Sequence, residues 1–141
     1  MFAHSPPRAA PSELLARVRE HVRTLLGEDD PEFTQDLIDS FCTSVDSLCE
    51  RIEAAAAAGD HQGIMANAHQ MKGSAANVGL PRVAEDWHAI EEAARRSAPD
   101  ADRRGPIQAD YDGPDRRLAS LQERVTESIA TARHVAAQLG C

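Results

Sequence analysis

His69, Lys72 and Gly73 are the residues in this sequence whose types and spacing could do chemistry. They fall in the segment HQMKGSAANVGL, from His69 to Leu80, with the histidine one helical turn before the lysine and the glycine. Apolar residues at Ile64, Ala68, Met71, Ala75 and Val78 alternate spacings of four and three, which is the seam of a helix packed in a bundle. At about 100° per residue, His69 lies roughly 140° from the centre of that seam, so its ring faces outward. Lys72 at i+3 sits beside it, and Gly73 at i+4 leaves the adjacent surface without a side chain.

A neutral imidazole is a nucleophile near pH 7, because a reference pKa of about 6.5 leaves one nitrogen lone pair free. When such a nitrogen accepts a phosphoryl group, negative charge spreads over three oxygens, and Lys72 supplies a compact, mobile cation beside it. Glycine inside a helix costs about 1 kcal/mol relative to alanine. Beside a reactive histidine, its return is room for a partner's backbone or loop. Taken singly, an exposed histidine is a solvated one and a helix glycine eases packing. Three such residues on one surface favour a reactive site.

HQMKGSAANVGL resembles the active-site helix of the histidine-containing phosphotransfer (HPt) domains of multistep two-component phosphorelays. The shared pattern is His-x-x-Lys-Gly, a run of small residues, then Gly79 followed by the apolar Leu80. The similarity continues through PRVAEDWHAIEEAAR, which looks like the next helix of that family, while the flanking helices match only in pattern. The resemblance implies reversible phosphoryl transfer between an aspartyl phosphate and Nε2 of His69. It implies a stoichiometric phosphocarrier, not an enzyme, with no cofactor of its own and Mg²⁺ brought by the partner. It assigns charge stabilisation to Lys72 and partner access to Gly73. Glu91 is the candidate acceptor that orients the histidine ring, unless it is a solvated surface charge. The implied partners are receiver domains of response regulators, a hybrid histidine kinase, or both. Met65 and Ala76, extended by Leu15 and Phe33, form the candidate docking patch, although each also reads as core. Two other readings stay open: a silent bundle that binds receivers as an inhibitor or scaffold, and the detached output end of a hybrid kinase.

Composition agrees with a small helical domain. The chain has 141 residues, 42% of them hydrophobic but only 4% aromatic, with many alanines suited to closely packed helices. A formal net charge of −8 argues against a nucleic-acid partner, since phosphate backbones need clustered Lys and Arg. No apolar run approaches the length of a membrane span, and MFAHSPPRAAP lacks the apolar core of a signal peptide. The expectation is a cytoplasmic monomer. No glycine-rich phosphate loop is present, so ATP-dependent kinase activity is not expected.

Cys42 and Cys49 stand seven residues apart on one helix, about 10 Å along its axis and too far to bridge. Cys141, the last residue, is expected to be mobile, and the thiols read as buried or incidental. No ligand set for a metal emerges from the cysteines or histidines. His88 falls off the core seam beside Trp87, and His21 has no partner pattern, so both read as incidental.

These residues need elements to position them. Residues 1–11 read as a disordered arm with three prolines, and residues 12–141 as one domain. A first helix runs from Ser12, its N-cap, to Leu26, with Leu14, Val18, Val22 and Leu25 on its stripe. Asp30 and Pro31 start the second, which carries Leu37, Phe41, Val45, Leu48, Ile52 and Ala55 and ends near Gly59. Asp60 caps the third helix, Gly79 follows its end, and Pro81 opens a fourth with Leu80, Val83, Trp87, Ile90 and Ala94 inward. Residues 98–114 are a long surface loop, rich in Asp, Arg, Pro and Gly. A fifth helix carries Leu118, Leu121, Val125, Ala132, Val135 and Leu139. The expected architecture is all-α: an antiparallel four-helix bundle of helices two to five, with the first helix covering one end.

Overall fold

Local signals in the chain account for where each helix starts. The computed structural model describes residues 11–98 and 114–141, and the expected arm and long loop lie outside them apart from their boundary residues. Helix α1 spans Pro11–Leu26, α2 Pro31–Ala57, α3 His61–Asn77, α4 Pro81–Ser97 and α5 Pro114–Gln138; no strand occurs among the described residues. The Asp30 carboxylate accepts a hydrogen bond from the Phe33 amide at 3.0 Å, and Pro31 occupies the first helical position, where no amide donor is needed. Asp60 repeats the cap on α3, accepting from the Gly63 amide at 2.9 Å. The first helix begins at Pro11, one residue earlier than expected, so Ser12 lies within it.

Helix α2 packs on α3 and α5, and α4 packs on the same two, which closes a ring of four. The apolar seams meet inside it. Ile64, Ala68, Met71, Ala75 and Val78 are all buried, as are Phe41, Val45, Ile52, Trp87, Ile90, Leu121 and Val125. Fully burying a side chain of leucine size stabilises by about 1.5–3 kcal/mol, so this shared interior holds the helices in register. Ile129 joins the core although the expected stripe of α5 omitted it, while Leu118, Val135 and Leu139 are only half-buried.

Helix α1 touches α2 and α5 and covers one end of the ring. Leu14, Val18 and Val22 are buried there, but Leu25, in the last turn of α1, is 58% exposed. His21 is not incidental. Its Nε2 donates to the Asn77 carbonyl at 3.1 Å, tying α1 to the turn between α3 and α4. Gly79 in that turn has φ +79°, and a Cβ there would lie 2.5 Å from the His21 Cβ. Glycine is required at this position by both backbone conformation and space.

The chain end departs from expectation. Cys141 is disulfide-bonded to Cys42, with Cα atoms 5.6 Å apart and a sequence separation of 99. Spacing along α2 excludes only a bridge between Cys42 and Cys49. The antiparallel packing of α5 along α2 delivers the last residue to the middle of α2, which no local pattern shows. Cys49 is the free thiol; it is buried, and burial raises its pKa to about 11 despite the opposing charge of Arg133.

Candidate functional site

The seam residues of α3 fix which way its other residues point. With Ala68 and Met71 inward, His69 stands on the outer surface with 64% of its side chain exposed. Helix α4 runs antiparallel against α3 from the Gly79 turn, so residues about equidistant from that turn meet. Glu91 follows the buried Ile90 and comes up at the edge of the α3–α4 contact, where only 11% of its side chain is exposed. The two helices bring His69, Lys72, His88, Glu91 and Arg95 to one place.

His69 Nδ1 lies 3.1 Å from Glu91 Oε2. A carboxylate only accepts, so Nδ1 carries the proton and donates it. Nε2, across the ring, is left as the free lone pair, with no hydrogen-bond partner among the described residues. Lys72 Nζ donates to the other oxygen, Oε1, at 3.3 Å and lies 3.4 Å from His88 Nδ1. His88 Nδ1 is 3.7 Å from Oε1, and Arg95 Nη2 is 3.6 Å from Oε2. Arg95 also pairs with Glu92, one residue on from Glu91. Burial pushes the Glu91 carboxyl up, but the hydrogen bond and charge of Lys72, followed by the hydrogen bond from His69, outweigh it. The net effect lowers its pKa from the ordinary carboxyl value, so Glu91 is ionised at neutral pH.

Lys72, one turn from the outward His69, is less open than its neighbour. It is half-buried and paired with Glu91, because α4 covers the flank of α3 on which it stands. Gly73 faces open space: a Cβ built there would meet nothing within 4 Å. The helix surface one turn from His69 is therefore unobstructed.

The four residues of the expected docking patch are not gathered together. Ala76 is exposed on α3 beyond Gly73, and Met65, one turn before His69, is half-buried and packs on the core. Leu15 is 39% exposed, but its neighbour Leu14 shares a groove with Leu80 and Pro81, roughly 16 Å along α3 from His69. Phe33 is half-buried in the first turn of α2. Because α2 and α3 run antiparallel from Gly59, Phe33 lies roughly 25 Å along the bundle from the level of His69.

His88 and Arg95 were missed by sequence reasoning. They stand three residues before and four after Glu91, on the same stripe of α4. That spacing is visible in the sequence. What is not visible is the rotation of α4 that turns the stripe toward His69 and Lys72.

The sequence model of the Hpt domain family matches residues 36–133, well over half of the chain. The chain belongs to the Hpt domain family. Comparison with curated proteins and with solved structures finds no significant match in either. Hpt domains are helical bundles that carry phosphoryl groups on histidine in phosphorelays, working with receiver domains and not as kinases. The matched segment contains the whole His69–Lys72–Glu91 cluster but neither α1 nor the start of α2. No helix among the described residues is long and apolar enough to cross a membrane.

Proposed function

We propose that this protein is a phosphorelay intermediate, taking a phosphoryl group from a receiver-domain aspartate onto Nε2 of His69 and passing it to another receiver aspartate. The observation that carries this reading is an exposed imidazole held through Nδ1 by a nearly buried, ionised carboxylate. In the transfer, the P–O bond of the aspartyl phosphate breaks as the Nε2–P bond forms, and the aspartate leaves as a carboxylate. The ring then carries substituents on both nitrogens and becomes cationic. Glu91, already accepting from Nδ1, offsets that charge without moving. Lys72 is within reach of the phosphoryl oxygens once it turns from Glu91. Mg²⁺ belongs to the receiver's aspartate cluster in this scheme, and the Hpt chain supplies position and charge.

Two incubations test the proposal. Label should enter the protein from a phosphorylated receiver domain and should not enter from ATP alone. The label should be acid-labile and base-stable, as expected of a phosphohistidine. Tight binding of receivers with no phosphate uptake would replace this reading with that of an inhibitor or scaffold.

A further inference from the structure

His88 is 54% exposed on α4 and has no place in the transfer scheme above, yet its Nδ1 touches both members of the Lys72–Glu91 pair. Its two protonation states need different partners. The neutral ring with Nδ1 unprotonated accepts a hydrogen bond from Lys72 Nζ, which gives the ammonium a second anchor on α4 besides Glu91 Oε1. The protonated ring donates from Nδ1 instead, toward Glu91 Oε1 at 3.7 Å, and repels the ammonium. We propose that His88 is a positioning residue that sets whether Lys72 is held on α4 or released toward a phosphoryl group on His69. The proposal rests on the phosphocarrier reading.

The surroundings of His88 support a two-state exchange. From α3 it faces Lys72 and, beyond it, His69, and from its own helix Glu91 and Glu92, with Arg95 bonded to both carboxylates. Helix α5 meets α4 along Ala93 and Ser97, roughly 140–180° around the helix from His88. When His88 gains a proton, it takes over the charge that Lys72 contributed at Glu91, so the buried carboxylate keeps a cationic partner throughout. The freed ammonium then serves the phosphoryl oxygens.

The test uses the full chain, phosphorylated in advance, donating to a receiver domain across pH 5.5–8.0. His88→Gln keeps a neutral acceptor for Lys72 at every pH, and His88→Arg keeps a permanent cation. Taking the ratio of wild type to His88→Gln removes the pH dependence of the receiver and of the phosphohistidine. That ratio should rise toward low pH by roughly tenfold, below the roughly hundredfold that complete loss of one positioned electrostatic group costs, because protonation of His88 frees Lys72 for the phosphoryl group. His88→Arg should match low-pH wild type, and in a Lys72→Ala background the ratio should be flat. A flat ratio with Lys72 present overturns the proposal, as does an equal rise without it. A second measurement needs no phosphate: ring ¹⁵N shifts of His88 should show Nδ1 as an unprotonated acceptor at high pH, altered in Lys72→Ala. Identical shifts in both proteins would overturn the proposal even if transfer itself failed, whereas failed transfer with altered shifts would instead count against the phosphocarrier reading.

Discussion

Replacing Gly73 separates packing from docking, because the two roles demand opposite results. Three helical or turn glycines near the site differ sharply in what a side chain would meet. At Gly63 a Cβ would lie 2.5 Å from Asp60 Oδ2, and at Gly79 it would lie 2.5 Å from the His21 ring. At Gly73 it would meet nothing within 4 Å, and the backbone is ordinary helix. Gly73→Ala should therefore recover the helix penalty of glycine, up to about 1 kcal/mol. For a domain of this size that is a rise in Tm of about 4 °C. Gly73→Gln should also melt no lower than wild type, since its side chain projects into solvent. Its Cβ, however, stands about 5–6 Å from that of His69, so the amide occupies the approach to the ring. A partner displaced by about 1 Å loses roughly a hundredfold in rate. The paired assay is a thermal melt and the rate of phosphate uptake from a phosphorylated receiver. Wild-type transfer by a folded Gly73→Gln protein would refute the docking argument, and a lower Tm for Gly73→Ala would refute the packing argument.

Lys72→Ala should slow transfer by about a hundredfold, the lower end of what removing one positioned electrostatic stabiliser costs, and an unchanged rate would reduce the lysine to a structural partner of Glu91. The lowered pKa of Glu91 makes its contribution to stability full above the ordinary carboxyl value of 4.5, and that contribution is lost as pH falls through the lower folded-state value. Wild type should accordingly lose Tm more steeply below that pH than Glu91→Gln does, and parallel curves would contradict the charge network. A reductant should lower the Tm of wild type but not of Cys42→Ser, since the bridge closes a separation of 99 residues and chain entropy allows up to about 4.7 kcal/mol. Equal melts with and without reductant would contradict a bridge that closes the bundle.

The parts of the fold that repeat along the chain were legible in it. Helix starts at Asp30–Pro31 and Asp60, the φ-positive turn at Gly79 and the seam from Ile64 to Val78 all follow from local chemistry. The outward aspect of His69 follows from the same seam, and the open space at Gly73 agrees with its place on that surface. Glu91 entered through resemblance, and its near-burial depends on how closely α4 lies against α3. Interactions between distant segments were not legible. The Cys42–Cys141 bridge, the His21 contact with Asn77 and the turning of His88 and Arg95 toward Lys72 and Glu91 each depend on relative helix rotation and level. Spacing within one helix carries no information about either. The spread of Leu15 and Phe33 away from His69 has the same cause: both were chosen as apolar residues at helix ends, and level along the bundle decides proximity.

The central claim is that His69 is the phosphoacceptor, and one labelling experiment tests it directly. Wild type and His69→Gln are each incubated with the same phosphorylated receiver, with circular dichroism melts to establish that both are folded. Because His69 is largely exposed and outside the core, the substitution should leave the melt unchanged. Wild type should take up one acid-labile phosphate, assigned by NMR to Nε2 of His69, and the variant should take up none. Phosphate retained by folded His69→Gln, or found on another residue of wild type, would contradict the account.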